Sequence, residues 1–504
     1  MGKNAKNKKK MKGAEKTNLK TEKKLLMKQK KMLAKIGEAD IEELLAKYKV
    51  DPAKKEAVGV EVDCPPPSPR VNFSLVTHPA KDQLIFFGGE FFDGQKAEVY
   101  DDMLFYTPAK DSWTVLRGGE RPLPRCGHQM VTTATDGGQL WLFGGEFASP
   151  SQLQFHHYND LWVFHIKNRQ WERIAAPGGP SARSGHRMML LKKRLFVFGG
   201  FHDNNQSYKY FNDVHFFSLE EYKWYKVDVA GVAPPPPRSG CCMAATSNGS
   251  ILIWGGYSKA SVKKDADRGT THWDSYALVP DKHDQKGLSW KWTSVKLGGM
   301  RPPPRSGVSF VVAPNGRLYT FGGVMDTEED EESIKGQFTN ELHSFDVENR
   351  VWRKVEVGPP KTPAGGKPQN DVEMEKVVTG VGVFTVSVAP KNSGSSSGSS
   401  LKSSVDEINE PSPRSHCGMA VCKGTLFVFG GTFEEGSKEI TLGDFYSMDL
   451  AKPTSGWRTI IENRTNRMEW AGSESDSNSE NESSGDQDSS DDTDDASDSD
   501  MDTD

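Results

Sequence analysis

The sequence predicts an all-β protein, a six-bladed β-propeller with a helical basic N-terminal extension and an acidic C-terminal tail, and three recurring features predict it. A double glycine appears six times, as Gly88-Gly89, Gly144-Gly145, Gly199-Gly200, Gly255-Gly256, Gly322-Gly323 and Gly430-Gly431. An arginine shortly after proline precedes each pair: Arg70, Arg125, Arg183, Arg238, Arg305 and Arg414. A tryptophan follows each: Trp113, Trp171, Trp224, Trp292, Trp352 and Trp457. Internal repetition at this scale marks an array of equal supersecondary units that bury their apolar faces against one another.

Each unit reads as four short strands. Runs such as Leu84-Ile85-Phe86-Phe87, Leu195-Phe196-Val197-Phe198 and Leu426-Phe427-Val428-Phe429 are rich in β-branched and aromatic residues and end at glycine. They are too short for core helices. One strand follows the arginine, as Arg183 to Leu191 shows, and a second ends in Gly-Gly. A third carries an Asp-apolar-aromatic segment, as in Asp160-Leu161-Trp162-Val163-Phe164, and a fourth carries the tryptophan, as in Gln170 to Ile174. Blades are expected at 64–117, 118–175, 176–230, 231–297, 298–358 and 411–462, within a propeller spanning 58–462. A closed ring leaves no long exposed sheet edge.

The first four arginines are spaced by about 55 residues, and the later intervals are wider. This Gly-Gly and tryptophan pattern resembles the kelch repeat, over roughly residues 64 to 460. The resemblance implies a propeller of four-stranded blades and a binding module whose function sits on loops. Loop stretches a generic blade does not fix, Gly144 to Pro150 and Gly255 to Lys259 with Val262 to Asp265, narrow the resemblance within that family.

Composition fits an intracellular protein, cytoplasmic or nuclear. The six cysteines, Cys64, Cys126, Cys241, Cys242, Cys417 and Cys422, have no disulfide-scaffold density and no paired C-x-x-C motif. No apolar stretch approaches membrane-span length, and the basic start lacks an apolar core, so the chain is expected to be soluble and not secreted. The formal charge of −5 hides an asymmetry. Residues 1 to 31 hold thirteen lysines against Glu15 and Glu22, whereas 473 to 504 hold fourteen acids and no Lys or Arg. The middle is nearly neutral, so the propeller is not a basic nucleic-acid platform.

Residues 1–57 form the extension. Its first part has almost nothing to bury, and from Leu19 to Tyr48 helix formers carry a broken apolar stripe, with Asp40 placed to cap a second short helix. The lysine block reads as a nuclear signal, as an RNA or ribosome contact, or as a solvated tail. The insertion 359–410 is Gly/Ser-rich in part and reads as a flexible linker. The tail 463–504 repeats serine with an acid three residues on, a pattern suited to acidophilic kinases or to plain solubility.

The antiparallel order puts the loops after strand two and the interblade connections on one side, and the long loops all fall there. Phe91, Phe155, His156, Tyr158, Tyr208, Tyr210, Tyr257, Lys263, Lys264 and Arg268 are the candidate contacts for a protein partner, since aromatics and arginines anchor interfaces. The alternative for each aromatic is packing within its own loop. The six arginines either ring the central opening and grip a carboxylate or phosphate, or tie blades together. The glycines and tryptophans are expected to be architectural. No cofactor, metal set, Ser-His-Asp signature or phosphate loop appears, which favours a non-catalytic, monomeric scaffold with no membrane contact. The other readings are a substrate-recognition subunit of a ubiquitin ligase and a metal-dependent enzyme.

Overall fold

Short apolar runs ended by glycine form the second strand of every blade: Leu84–Phe87, Gln139–Phe143, Arg194–Phe198, Ile251–Trp254, Arg317–Phe321 and Thr425–Glu435. They are buried on both faces because a neighbouring blade packs on each, which is why they read as continuous apolar runs. In this computed structural model the described residues are 24, 27–28, 30–49, 58–204, 207–262, 266–284, 287–330, 333–358, 410–436 and 438–462. The first part of the lysine block, nearly all of the insertion 359–410 and the acidic tail lie outside them.

Six antiparallel sheets follow in chain order, a six-bladed β-propeller. The second blade shows the plan: Gln129–Thr133, Gln139–Phe143, Leu161–His165 and Gln170–Ile174 pair consecutively, from the axis outward. Three blades gain a fifth, outer strand. Val60–Asp63 adds antiparallel to blade one, while Asp228–Gly231 and Gly298–Gly299 add parallel to blades four and five.

Each blade draws its four strands from its own repeat, so the ring closes by packing and not by strand exchange. Phe73, Leu75 and Trp113 of blade one share a core with Ala420, Phe427, Phe429 and Phe445 of blade six. The closing hydrogen bonds copy the other junctions. Arg70 N–H donates to Leu442 O at 3.1 Å and Gly431 N–H to Arg70 O at 3.1 Å, as Arg125 N–H does to Tyr100 O and Gly89 N–H to Arg125 O.

The double glycine is required by this contact. Gly88 has φ +65°, and a Cβ there would stand 2.5 Å from the Arg125 carbonyl of the next blade. At the closure, a Cβ on Gly430 would stand at the same 2.5 Å from Arg70 O. No side chain fits between blades at that point.

Before the propeller, helical turns occupy residues 30–36, and a short helix follows at Ile41–Ala46. Asp40 caps that helix, its carboxylate accepting from Glu42 N–H at 3.1 Å. Among the described residues no helix is long and apolar enough to cross a membrane.

Candidate functional site

The loops after strand two are themselves β-hairpins, a regularity their sequences do not announce. Glu90–Phe92 pairs with Ala97–Val99, Glu146–Ala148 with Phe155–His157, and Phe201–Asp203 with Tyr208–Tyr210. Tyr257–Val262 pairs with Ala266–Thr271 and Val324–Asp330 with Ser333–Phe338; in blade six the two strands simply extend past Gly431. Each hairpin is anchored by a bridge from the residue after the repeated arginine, as in Cys126 to Glu146 and Ser184 to Phe201. Six ribbons therefore stand on one face, which gives that face more side chains and more relief than the opposite one.

The arginines beneath this crown are committed within the protein. Arg70 donates through Nε to Ser68 O, through Nη1 to Gly88 O and Asp102, and through Nη2 to Ser68 Oγ and Asp102. Arg183 and Arg414 repeat the scheme with Ser181 and Asp213, and with Ser412 and Asp444. All five N–H groups of each fork thus have acceptors. Arg125 pairs with Asp160 and Arg238 with Asp274, and Arg305 takes Glu341 instead. All six are buried and ion-paired within the protein, which supports the reading in which they tie the blades together. Burial alone would raise the Asp160 carboxyl, but the Arg125 charge and hydrogen bonds outweigh it and hold it low.

The tryptophans pack across junctions. Trp171 lies 5.4 Å from Phe87, Trp224 5.3 Å from Phe143 and Trp292 5.8 Å from Phe198, always on the ring just before the preceding blade's Gly-Gly. Trp352 meets Trp254 and Trp457 meets Phe321 in the same way, while Trp113 closes the ring on Phe445. His128 and His186 fill equivalent gaps edge-on to Phe87 and Phe143. Burial, then a neighbouring arginine, lowers both histidines, His128 to about 3, so they are neutral packing groups.

The candidate contacts divide into two groups. The N-terminal segment lies on the hairpins of blades one and two. Leu45 is buried in a cluster with Val99, Phe147, Ala148 and Tyr158, against which Ile41, Leu44 and Phe155 pack. Glu38 accepts from Ser151 N–H, Ser151 Oγ and Gln154 Nε2, while Gln154 Oε1 accepts from Ile41 N–H at 3.0 Å. Burial works against the Glu38 charge, but hydrogen bonds from Ser149, Gln154 and Ser151 prevail and hold it below the usual range. Tyr158 is 5% exposed, donates to Pro124 O and lies under Arg125, whose guanidinium is 3.9 Å from its ring. As a free partner contact Tyr158 is therefore corrected to scaffold. Phe155 packs against the helix cluster, while His156, 36% exposed, lies with Nδ1 3.8 Å from Glu42. Phe91, on the first hairpin, pairs with Glu98 and is half-buried.

The second group lies on the hairpins of blades three and four. Phe201 stacks on Tyr210 at 5.7 Å, Tyr208 meets Tyr210 edge-on, and Lys259 of the next hairpin lies over Tyr208 at 5.6 Å. Burial and the neighbouring Tyr257 and Tyr208 raise the Tyr210 phenol, so it stays neutral. Lys209, Lys259 and Arg268 are exposed around half-buried Tyr208, Tyr210 and Tyr257. Lys263 and Lys264 lie outside the described residues. The hairpins of blades one, two and six contribute carboxyls instead: Glu90, Glu146 and Glu439 are all raised, first by burial and then, for Glu146 and Glu439, by Glu90. Glu146 reaches about 8 and sits 3.2 Å from His157 Nε2, which accepts from Asp203 N–H.

Sequence reading gave no pairing role to Glu38, Gln154 or the carboxylates paired with the arginines. Two signals were present: an acid begins the third strand of each blade, and serine stands two residues before Arg70, Arg183 and Arg414. Nothing comparable marks Glu38. Among the described residues no group of three or more His, Cys, Asp or Glu side chains is placed to hold a metal ion.

A family model described as the KLHDC2/KLHL20/DRC7 Kelch-repeats domain matches residues 36–256 and 208–382. Among curated relatives, N-(sulfonatooxy)prop-2-enimidothioate sulfolyase of Thlaspi arvense is 24% identical over 58% of this chain and 82% of its own length. Leucine-zipper-like transcriptional regulator 1 of Pongo abelii is 26% identical over 74% of this chain, and host cell factor of Drosophila melanogaster is 25% identical over 58%. The matched regions span only 41% and 19% of those two proteins.

Proposed function

The chain belongs to the kelch-repeat family, and on that premise we propose that it is a non-catalytic scaffold that binds a protein partner through the hairpin face of its propeller. Within the family, its blade loops resemble those of kelch domain-containing protein 4. The observation that carries the reading is the docked segment Glu38 to Tyr48: this face already receives an amphipathic helix of the chain itself, by apolar packing ringed with hydrogen bonds. The groove on blades one and two is filled. The partner is therefore assigned to blades three and four, where half-buried tyrosines surrounded by exposed cations offer rigid anchors and complementarity to an acidic surface.

The non-catalytic reading rests on His128 and His186, which burial and a neighbouring arginine hold neutral, and on repeated arginines whose charge is paired within the scaffold. Proximity labelling with the full chain tests the proposal. Tyr208→Ala combined with Tyr257→Ala is expected to deplete the recovered partner at least tenfold, since interface anchors contribute about 2 kcal/mol or more each. Leu45→Ala should instead disturb only the docked helix. A partner recovered equally by the double variant, with its melting temperature unchanged, would contradict the assignment.

A further inference from the structure

One arginine stands outside the pairing scheme. The first residue of the innermost strand is Ser74, Gln129, Arg187, Cys242, Ser309 and Gly418 in blades one to six, each opposite the aromatic that precedes the double glycine. Five of the six are neutral, so the blade framework has no use for a charge there. Arg187 lines a cavity of about 460 Å³ enclosed by the innermost strands. Its Nε–H donates to Cys241 O at 2.5 Å, and its guanidinium carbon lies 5.0 Å from the ring centroid of Phe310, two blades on. Among the described residues Arg187 forms no ion pair, and its two terminal nitrogens donate to no protein acceptor.

The surrounding groups do not supply the missing charge. His128 and His416 line the same cavity and His186 adjoins Arg187; burial and then arginine charge hold all three neutral. Glu146, at the hairpin end, is pushed up to about 8 by burial and by Glu90, so it carries its proton at neutral pH. An unpaired cation in a partly enclosed site attracts an anion more strongly than one in water. With Nε engaged, the two Nη groups present one edge of the fork, which a planar carboxylate matches with two parallel hydrogen bonds. The mixed lining includes apolar Met188, Phe310, Val311 and Met419 along with polar Asn72, Ser74, Gln129 and Ser309.

We propose that the central cavity binds a small carboxylate with an apolar body, its carboxylate on the Nη edge of Arg187 and its body against Met188, Phe310, Val311 and Met419. The volume falls within the range of about 300–1,000 Å³ usual for small-molecule sites. The site lies between the innermost strands, and Glu146 and Phe201 of two hairpins complete its lining.

Titration calorimetry of the full chain with 4-phenylbutyrate tests this, with 4-phenylbutanol as the uncharged analogue and Arg187→Gln and Arg187→Lys as variants. The wild type is expected to bind 4-phenylbutyrate saturably. Arg187→Gln should weaken it roughly tenfold or more, as loss of a charge-assisted bidentate contact requires, with Arg187→Lys in between. The alcohol should bind far more weakly than the acid. Without ligand, Arg187→Gln should lower the melting temperature only slightly, by the loss of the Cys241 O hydrogen bond and the Phe310 contact, because no protein carboxylate loses a partner. Equal binding of acid and alcohol to the wild type, equal binding of the acid to Arg187→Gln, or no saturable heat in the wild type would each overturn the proposal. A fall in the melting temperature of unliganded Arg187→Gln as large as that of Asp160→Asn would make Arg187 a scaffold residue and overturn it as well.

Discussion

Asp160→Asn is expected to destabilise the propeller by about 3–5 kcal/mol, because it strands the Arg125 guanidinium without its counter-charge in a site from which water is excluded. Arg125 is 0% exposed, and its fork reaches Leu123 O, Gly144 O and both Asp160 oxygens. The carbonyls alone cannot offset a full charge. Replacing both members, as Arg125→Met with Asp160→Leu, should cost much less than the two single losses added together, since no charge is then left buried. The same experiment at blade five should give a smaller effect. Arg305 is bonded there to Pro303 O at 3.3 Å and to Glu341 at 2.8 Å, and the Glu341 side chain is 32% exposed, so water can replace the lost partner. Urea unfolding followed by tryptophan fluorescence measures both. Equal losses at blades two and five would show that burial does not set the cost.

Trp171→Ala should cost about 3–5 kcal/mol, the usual range for emptying a large aromatic site between packed elements. Its ring fills the space between Phe87 of blade one and Phe164 of its own blade, at 5.4 and 5.2 Å. Trp171→Phe should cost far less. The indole Nε1 is buried without a hydrogen-bond partner, so the smaller ring loses area but also removes an unsatisfied donor. Trp113→Ala is expected to match Trp171→Ala, because the closing junction is packed like the others. A much smaller loss at Trp113 would mean that blades one and six are weakly joined.

The ring was legible in the sequence because its determinants recur at fixed offsets. Gly-Gly, tryptophan and the apolar second strand each answer a local demand: close backbone approach, a gap between blades, and burial on two faces. The pairing of Arg70 with Asp102 or Arg125 with Asp160 was harder to read, although both partners recur, because the contact joins the first and third strands through space. The hairpins were read as loops, since ribbons as short as Glu90–Phe92 carry too little alternation to show a period. The helix stripe at Ile41, Leu44 and Leu45 was visible, but what it covers was not: its seat is assembled from Val99, Phe147 and Tyr158 of two hairpins. That is why Phe155, His156 and Tyr158 looked like partner contacts. Their chemistry suits an interface, and the chain's own segment occupies it.

Hydrogen exchange on the full chain, with and without the partner recovered by labelling, tests the central claim most directly. Slowed exchange in the hairpins 201–210 and 257–271, with the clasped hairpin 146–157 and the opposite-face turns unchanged, is the predicted footprint. Protection confined to the opposite face, such as the turns at 107–112 and 165–170, would contradict it.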